Sequence, residues 1–150
     1  MRGLTHIDKI DRKLLAALAA DSGLTSQVLA EKTGLSPSQC YRRKARLEQS
    51  GAILRYHAEI DPSALGLAVG ALVHISIDSH TTDELQRFRR FINSNASIQS
   101  CYAVTGESDY VAHVQTSDLN ALNDFVLSIL EHGKSRYHVQ SQVILQTIKR

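Results

Sequence analysis

Arg42, Arg43, Lys44 and Arg46 crowd into the segment CYRRKARLEQS, with Glu48 as the opposing acid, for a local charge of +3. Just ahead stand Ser36, Pro37, Ser38 and Gln39, and Tyr41 sits beside the basic run. A guanidinium can grip guanine bidentately and a glutamine amide can do the same to adenine. Serine reaches bases or phosphates, and the remaining cations suit phosphate oxygens. Collected in one short stretch, these groups are the equipment of a reader of double-stranded DNA. A second chemistry-bearing stretch is Thr105-Gly106-Glu107-Ser108-Asp109-Tyr110. A glycine-containing turn exposes backbone N–H groups that can hold a carboxylate, and Asp109 or Glu107 can take an ammonium. A plain tight hairpin would use the same residues, glycine for positive φ and aspartate for its turn propensity.

Other chemistries find no footing. Of seven histidines, His57, His74, His113 and His138 fall on strand-like segments, and none has a metal-ligand spacing such as H-x₃-H. There is no dinucleotide-binding, phosphate-loop or nucleophile-elbow motif. Glu107 and Asp109 lie two apart in a turn, a poor basis for an acid/base pair. The expectation is a protein that is not an enzyme and has no metal and no cofactor, an amino-acid effector aside. Cys40 and Cys101 belong to no paired motif, which fits a reducing cytosol. Aromatic residues are 5% with no Trp, which argues against a carbohydrate-stacking module. No apolar run approaches the ~18–20 residues of a membrane span. The start MRGLTHIDKIDRK has charges where a signal peptide needs an apolar stretch, so a cytoplasmic location is expected.

The elements that must position these groups are legible in the punctuation. Asp8 is a good N-cap for a first helix, with Asp11 acidic in its first turn and Ile10, Leu14, Ala17 and Leu18 at helical spacing. Asp21-Ser22-Gly23 ends it. Thr25 caps a short second helix that stops at Gly34. Ser36 and Gln39 form a capping box, with Pro37 at the first helical position, and the third helix runs to Gly51. Helices two and three are thus joined by Gly34-Leu35-Ser36 alone, the short turn of a helix-turn-helix, with small Ala30 where they approach. Cys40 and Leu47 should face the core. Ile53–Ile60 (ILRYHAEI) reads as a strand, one arm of a wing, with Arg55 on the DNA backbone.

Residues 61–68 read as a linker. Beyond it the period changes to alternation over Val69–Ile77. Thr81 and Glu84 form a second capping box, opening a helix with Leu85, Phe88, Phe91 and Ile92 on one face. Ile98–Thr105 and Tyr110–Thr116 are strands joined by the Gly106–Asp109 turn. Asp118 caps a helix closed by Gly133, and Tyr137–Ile148 is a last strand. The fold class is therefore α+β: a winged helix-turn-helix over residues 1–60, then a ferredoxin-like βαββαβ unit over 69–150. Charge divides the same way, with a net +4 over residues 1–60 and −2 over 61–150.

The segments IDKIDRKLL, LSPSQCYRRKARLEQSGAILRY and VTGESDY resemble the Lrp/AsnC group of "feast/famine" transcriptional regulators, over nearly the whole chain from Ile7 to Lys149. The resemblance implies homodimers joined through the C-terminal sheets and higher assemblies such as octamers. It also implies an amino acid bound between dimers at Thr105, Gly106, Glu107, Ser108, Asp109 and Tyr110, its side-chain pocket drawn from sheet residues such as Ile75. On the DNA side, Ser36 and Tyr41 belong to the contact surface. Ser38, Gln39, Arg42 and Arg43 are expected at or near bases, and Arg46 and Arg55 on phosphates. Arg43 is expected to be replaceable by alanine without harm to the fold. One residue departs from the family pattern: Lys44 stands where an aliphatic side chain is usual, so it must extend its ammonium out of the core. Two other readings compete. One is a tetrapyrrole (sirohaem) decarboxylase of the same two-domain shape, with His74 or His113 in its cleft. The other is a nucleoid-architecture protein with little sequence choice.

Overall fold

The computed structural model describes residues 6–134 and 136–149. The chain divides into two compact units, one ending at Glu59 and the other beginning at Ile60. The first is three helices: α1 (Lys9–Ala20), α2 (Ser26–Thr33) and α3 (Pro37–Gln49). Each begins where a side chain can satisfy the free N–H groups of a first turn. Asp8 Oδ1 accepts from the backbone of Ile10 (2.8 Å) and Asp11 (2.7 Å), while Asp11 Oδ2 accepts from the backbone of Asp8 (3.1 Å), a complete capping box. Ser36 and Gln39 form another at α3. Gly34 ends α2 at φ 73°, a left-handed conformation that glycine adopts without strain. Leu14, Leu18, Leu29, Ala30, Cys40 and Leu47 form the core of this unit.

The segment ILRYHAEI is not a strand. Residues 54–60 are exposed and form no ladder. A strand exists only by pairing, and none of the described residues of the three-helix unit offers an edge. The wing arm expected from sequence is therefore not a strand among the described residues. Within the expected linker, Pro62–Leu65 forms a single 3₁₀ turn, capped by Asp61 and ended by Gly66 at φ 72°.

The second unit is β1 (Val69–Ile77), α4 (Thr82–Ser94), β2 (Ile98–Ala103), β3 (Tyr110–Thr116), α5 (Leu119–Gly133) and β4 (Tyr137–Val143). The sheet is antiparallel in the order β2-β3-β1-β4, the ferredoxin-like arrangement. β2 and β4 stop short of the expected Thr105 and Ile148. Both are edge strands, paired on one side only. One sheet face carries the core, with Ala71, Val73, Ile75, Ile77, Ala112 and Val114 packed with Phe88, Leu122, Phe125 and Ile129 of the two helices. The other face presents Leu72, His74 and Ser76 of β1, with Val111 and His113 of β3 opposite them.

Two helix ends differ from expectation. Thr81 caps α4 by accepting from the Glu84 backbone, yet Glu84 does not return the bond. Its carboxylate is buried and accepts from the Tyr137 hydroxyl at 2.8 Å. Gly133 is the last residue of α5, and the left-handed turn falls on Lys134 at φ 48°. Gly133 is glycine for space: a Cβ there would lie 2.3 Å from the Tyr137 ring.

Candidate nucleic-acid interface and effector turn

The capping box fixes the start of α3 and leaves its first turn outward. Ser36, Ser38, Gln39, Tyr41 and Arg42 are all exposed, Tyr41 to 69%. Gln39 turns its Oε1 to the Ser36 backbone (3.0 Å), which leaves its amide nitrogen as the group to meet a base. Ser36 and Ser38 share a hydroxyl contact at 3.1 Å. The opposite face is anchored by Cys40 and Leu47, both buried, with the Cys40 thiol 3.5 Å from the Thr33 hydroxyl. Lys44 does emerge from the core face. Its ammonium lies 4.9 Å over the ring of Tyr56, a cation–π contact.

Arg43 and Arg46 are placed differently from the expectation. The Arg43 guanidinium binds Asp8 (2.6 Å) and Asp11 (2.8 Å), and Arg46 binds Asp11 as well. Asp11 is fully buried, so these arginines neutralise an acid inside the unit. The Asp8 carboxyl is held down at about 2 by the backbone N–H of Asp11 and then by Arg43, and Arg43 is raised in turn by Asp8 and Asp11. Arg43 is therefore not replaceable without cost to the fold: its removal leaves a buried carboxylate with Arg46 as its one remaining guanidinium. The sequence held a signal for this. Asp11, Leu14 and Leu18 follow at i, i+3 and i+7, so the acid lies in phase with the core stripe. Arg55 is exposed. Nearby, Tyr56 donates its hydroxyl to Glu48 (2.8 Å), and burial followed by that bond pushes the phenol up to about 12.

In the second unit, the Val104 N–H donates to the Asp109 carbonyl (2.9 Å) and closes the turn between β2 and β3. Gly106 sits at φ 119°. Thr105, Gly106 and Glu107 are exposed, while Ser108, Asp109 and Tyr110 are half-buried. Asp109 is occupied within the fold. Its Oδ2 accepts from the Ile77 backbone at 2.7 Å, its Oδ1 lies 3.2 Å from His80 Nε2, and its own N–H donates to the Ile75 carbonyl. Of the two acids considered for an ammonium, Glu107 thus has the exposed position and Asp109 shapes the turn. The Glu107 carbonyl is itself fixed by the Ser76 hydroxyl (3.2 Å). Tyr110 packs on Phe88 with ring centroids 4.5 Å apart. Ile75 is fully buried beneath the helices, so it does not line a pocket. No group of three or more metal-ligating side chains comes together among the described residues.

Residues 7–53 match the family profile described as winged helix-turn-helix DNA-binding, and residues 70–150 match that of the Lrp/AsnC ligand binding domain. The chain is similar to the DNA-binding transcriptional activator DecR of Escherichia coli, 32% identical over 143 residues, covering 95% of this chain and 94% of that protein. It resembles a Neisseria meningitidis transcriptional regulator solved as its L-methionine complex, with a TM-score of 0.88, 34% identity, and 97% and 94% of the two chains covered. A Mycobacterium tuberculosis feast or famine regulatory protein complexed with L-methionine gives a TM-score of 0.85 at 33% identity, over 97% and 96% of the chains.

Proposed function

We propose, for a chain that belongs to the Lrp/AsnC family of DNA-binding transcriptional regulators, a one-component switch that reads an operator with α3 and answers to an amino acid. The observation that carries the reading is the division of α3 into two faces. One face is buried through Cys40 and Leu47, with Arg43 beside it bound to Asp8 and Asp11; the other exposes Ser38, Gln39, Tyr41 and Arg42, groups suited to a major groove, with Arg46 exposed at its margin and bound to Asp11. Arg42 takes the base-contacting role, with Ser36 and neighbouring groups on phosphates. Two copies pair through the open face of the sheet and place two recognition helices on a pseudo-palindromic site, and dimers assemble further into rings such as octamers. The amino acid binds at the Thr105–Tyr110 turn where dimers meet, its carboxylate on backbone N–H groups and its ammonium toward Glu107. Two relatives solved with L-methionine support that class of effector. No other cofactor is needed, and the work is done in the cytoplasm. No helix among the described residues is long and apolar enough to cross a membrane.

The test is a titration of an operator selected from random duplexes, at fixed salt, with and without L-methionine. Arg42→Ala should weaken specific binding by about 1–3 kcal/mol, and L-methionine should shift the wild-type curve. Unchanged affinity in Arg42→Ala removes that residue from the interface. A curve that L-methionine does not move removes that effector. A ratio of specific to non-specific affinity near one supports the architectural reading instead.

A further inference from the structure

The turn between β2 and β3 is tied down at several points, and one tie differs in kind. The Val104 N–H donates to the Asp109 carbonyl, and the Asp109 N–H donates to the Ile75 carbonyl at 3.1 Å. The Ser76 hydroxyl donates to the Glu107 carbonyl, and the Ile77 N–H donates to Asp109 Oδ2. Amide and hydroxyl donors keep their protons at any ordinary pH. The remaining tie is His80 Nε2, 3.2 Å from Asp109 Oδ1. Histidine is the side chain whose ordinary titration falls between pH 5 and 8. His80 lies between β1 and α4, and its side chain is 56% exposed, so it exchanges protons with solvent. Other charged groups of the surrounding elements do not compete for it. Asp78, just past β1, meets His138 Nε2 of β4 at 3.2 Å. Glu84 of α4 is buried against Tyr137, Arg87 and Arg136. Asp83 of α4 and Glu107 of the turn are exposed, and neither forms an ion pair among the described residues.

We infer that His80 is a positioning residue whose proton couples effector binding to pH, the amino acid being held more tightly when the imidazole is charged. The inference deepens the proposed function and rests on its reading of this turn as the holder of an amino acid's carboxylate. The argument is one of charge. A carboxylate on the backbone N–H groups of the turn shares that turn with the carboxylate of Asp109, and like charges in one site oppose each other. With His80 neutral, Asp109 keeps its full negative charge. With His80 protonated, the ion pair offsets that charge, and the bond that fixes Asp109 becomes charge-assisted. Binding then favours the protonated imidazole, and by reciprocity the complex takes up protons that the free protein lacks. The pair is partly exposed, so the coupling is modest, a change in affinity of about twofold to fivefold. His138 is the built-in comparison. It makes the same kind of contact at the same distance, but to Asp78, a carboxylate outside the turn. Its protonation leaves Asp109 as it was.

The experiment is calorimetric titration of the full chain at pH 6 and pH 8, on either side of the ordinary histidine range. The probe is L-methionine, or whichever of the twenty standard amino acids gives the largest thermal shift. Wild type should bind about twofold to fivefold more tightly at pH 6. Its binding heats in two buffers of different ionisation enthalpy should report proton uptake. His80→Gln keeps a donor that does not titrate, so its affinity should match that of wild type at pH 8 and change little with pH. His80→Lys carries a fixed charge and should bind at pH 8 about as tightly as wild type does at pH 6. His138→Gln should keep the wild-type dependence. Operator affinity without ligand checks that each variant is folded. A flat wild-type profile, or the wild-type dependence persisting in His80→Gln, overturns the coupling. So does a dependence lost in His138→Gln alone. Equal losses at both pH values in His80→Gln and His80→Lys leave His80 a structural role only, and overturn it too. Binding by none of the twenty amino acids overturns the effector reading and the coupling with it.

Discussion

Asp11 and Glu84 occupy the same place in two unrelated units. Each is the third residue of its unit's first helix, each is buried, and each has two arginines within reach. Asp11 completes a capping box and draws Arg43 and Arg46 from α3, so its charge ties the recognition helix to α1. Glu84 abandons its capping box. It accepts from Tyr137 and meets Arg87 of its own helix, with Arg136 at 4.0 Å, so it ties α4 to the start of β4. The Tyr137 hydroxyl, ahead of the two arginines, holds the Glu84 carboxyl below its ordinary range. The lesson is that a count of cations on a DNA-reading helix overstates its DNA-facing charge. Two of the four on α3 are answered from within the unit.

The largest effect should come from stripping the first acid of its partners. Arg43→Ala with Arg46→Ala leaves Asp11 buried and uncompensated, which should cost about 3–5 kcal/mol of folding stability, read by denaturant titration of the helical unit's far-ultraviolet signal. A loss below about 1 kcal/mol would mean the Asp11 site admits water, and the distinction between the two acids would fall. A smaller effect is expected at the second acid. Tyr137→Phe removes a single hydroxyl donor while Arg87 still holds Glu84, and it should cost about 1.5 kcal/mol in the stability of the sheet unit. If its cost matched the double arginine variant, the hydroxyl rather than the arginines would dominate there. The smallest effect is a pH dependence. The Asp8 carboxyl sits at about 2 in the fold against 3.8 for the free side chain, so the unfolded chain takes up the proton first. Its contribution is present above about pH 4 and drains away as pH falls toward 2. Asp8→Asn should flatten that part of the stability profile, and a profile indistinguishable from wild type would show the Arg43 contact to be solvated.

What was legible in the chain was local. Asp8, Thr25, Ser36 and Asp118 cap the helices they were expected to cap, because a cap is decided by the next three residues. The bounds of β1 and β3 follow from alternation that both flanking strands enforce. What was not legible depended on distant partners. Arg43 reaches Asp11 across 32 positions and Tyr137 reaches Glu84 across 53, and no window of sequence contains either pair. The phase of Asp11 with Leu14, and of Glu84 with Phe88, was the available sign that an acid would be buried. At the effector turn, the residue types were readable but their commitments were not, since Asp109 is claimed by the backbone of a strand 32 positions earlier. Arg55 and Tyr56 lie in a stretch whose residue types read as a strand, and the ladder is the part that the described chain does not supply.

The hold of Ile77 and His80 on Asp109, with that of Ser76 on the Glu107 carbonyl, has a thermodynamic consequence for whatever the turn binds. A loop that must be ordered by its ligand spends part of the ligand's affinity on lost conformational freedom. Here the rim is tied at two points to β1 and the residues just beyond it before any ligand arrives. A molecule bound there would meet a preorganised edge, and its binding energy would be left for discriminating one side chain from another.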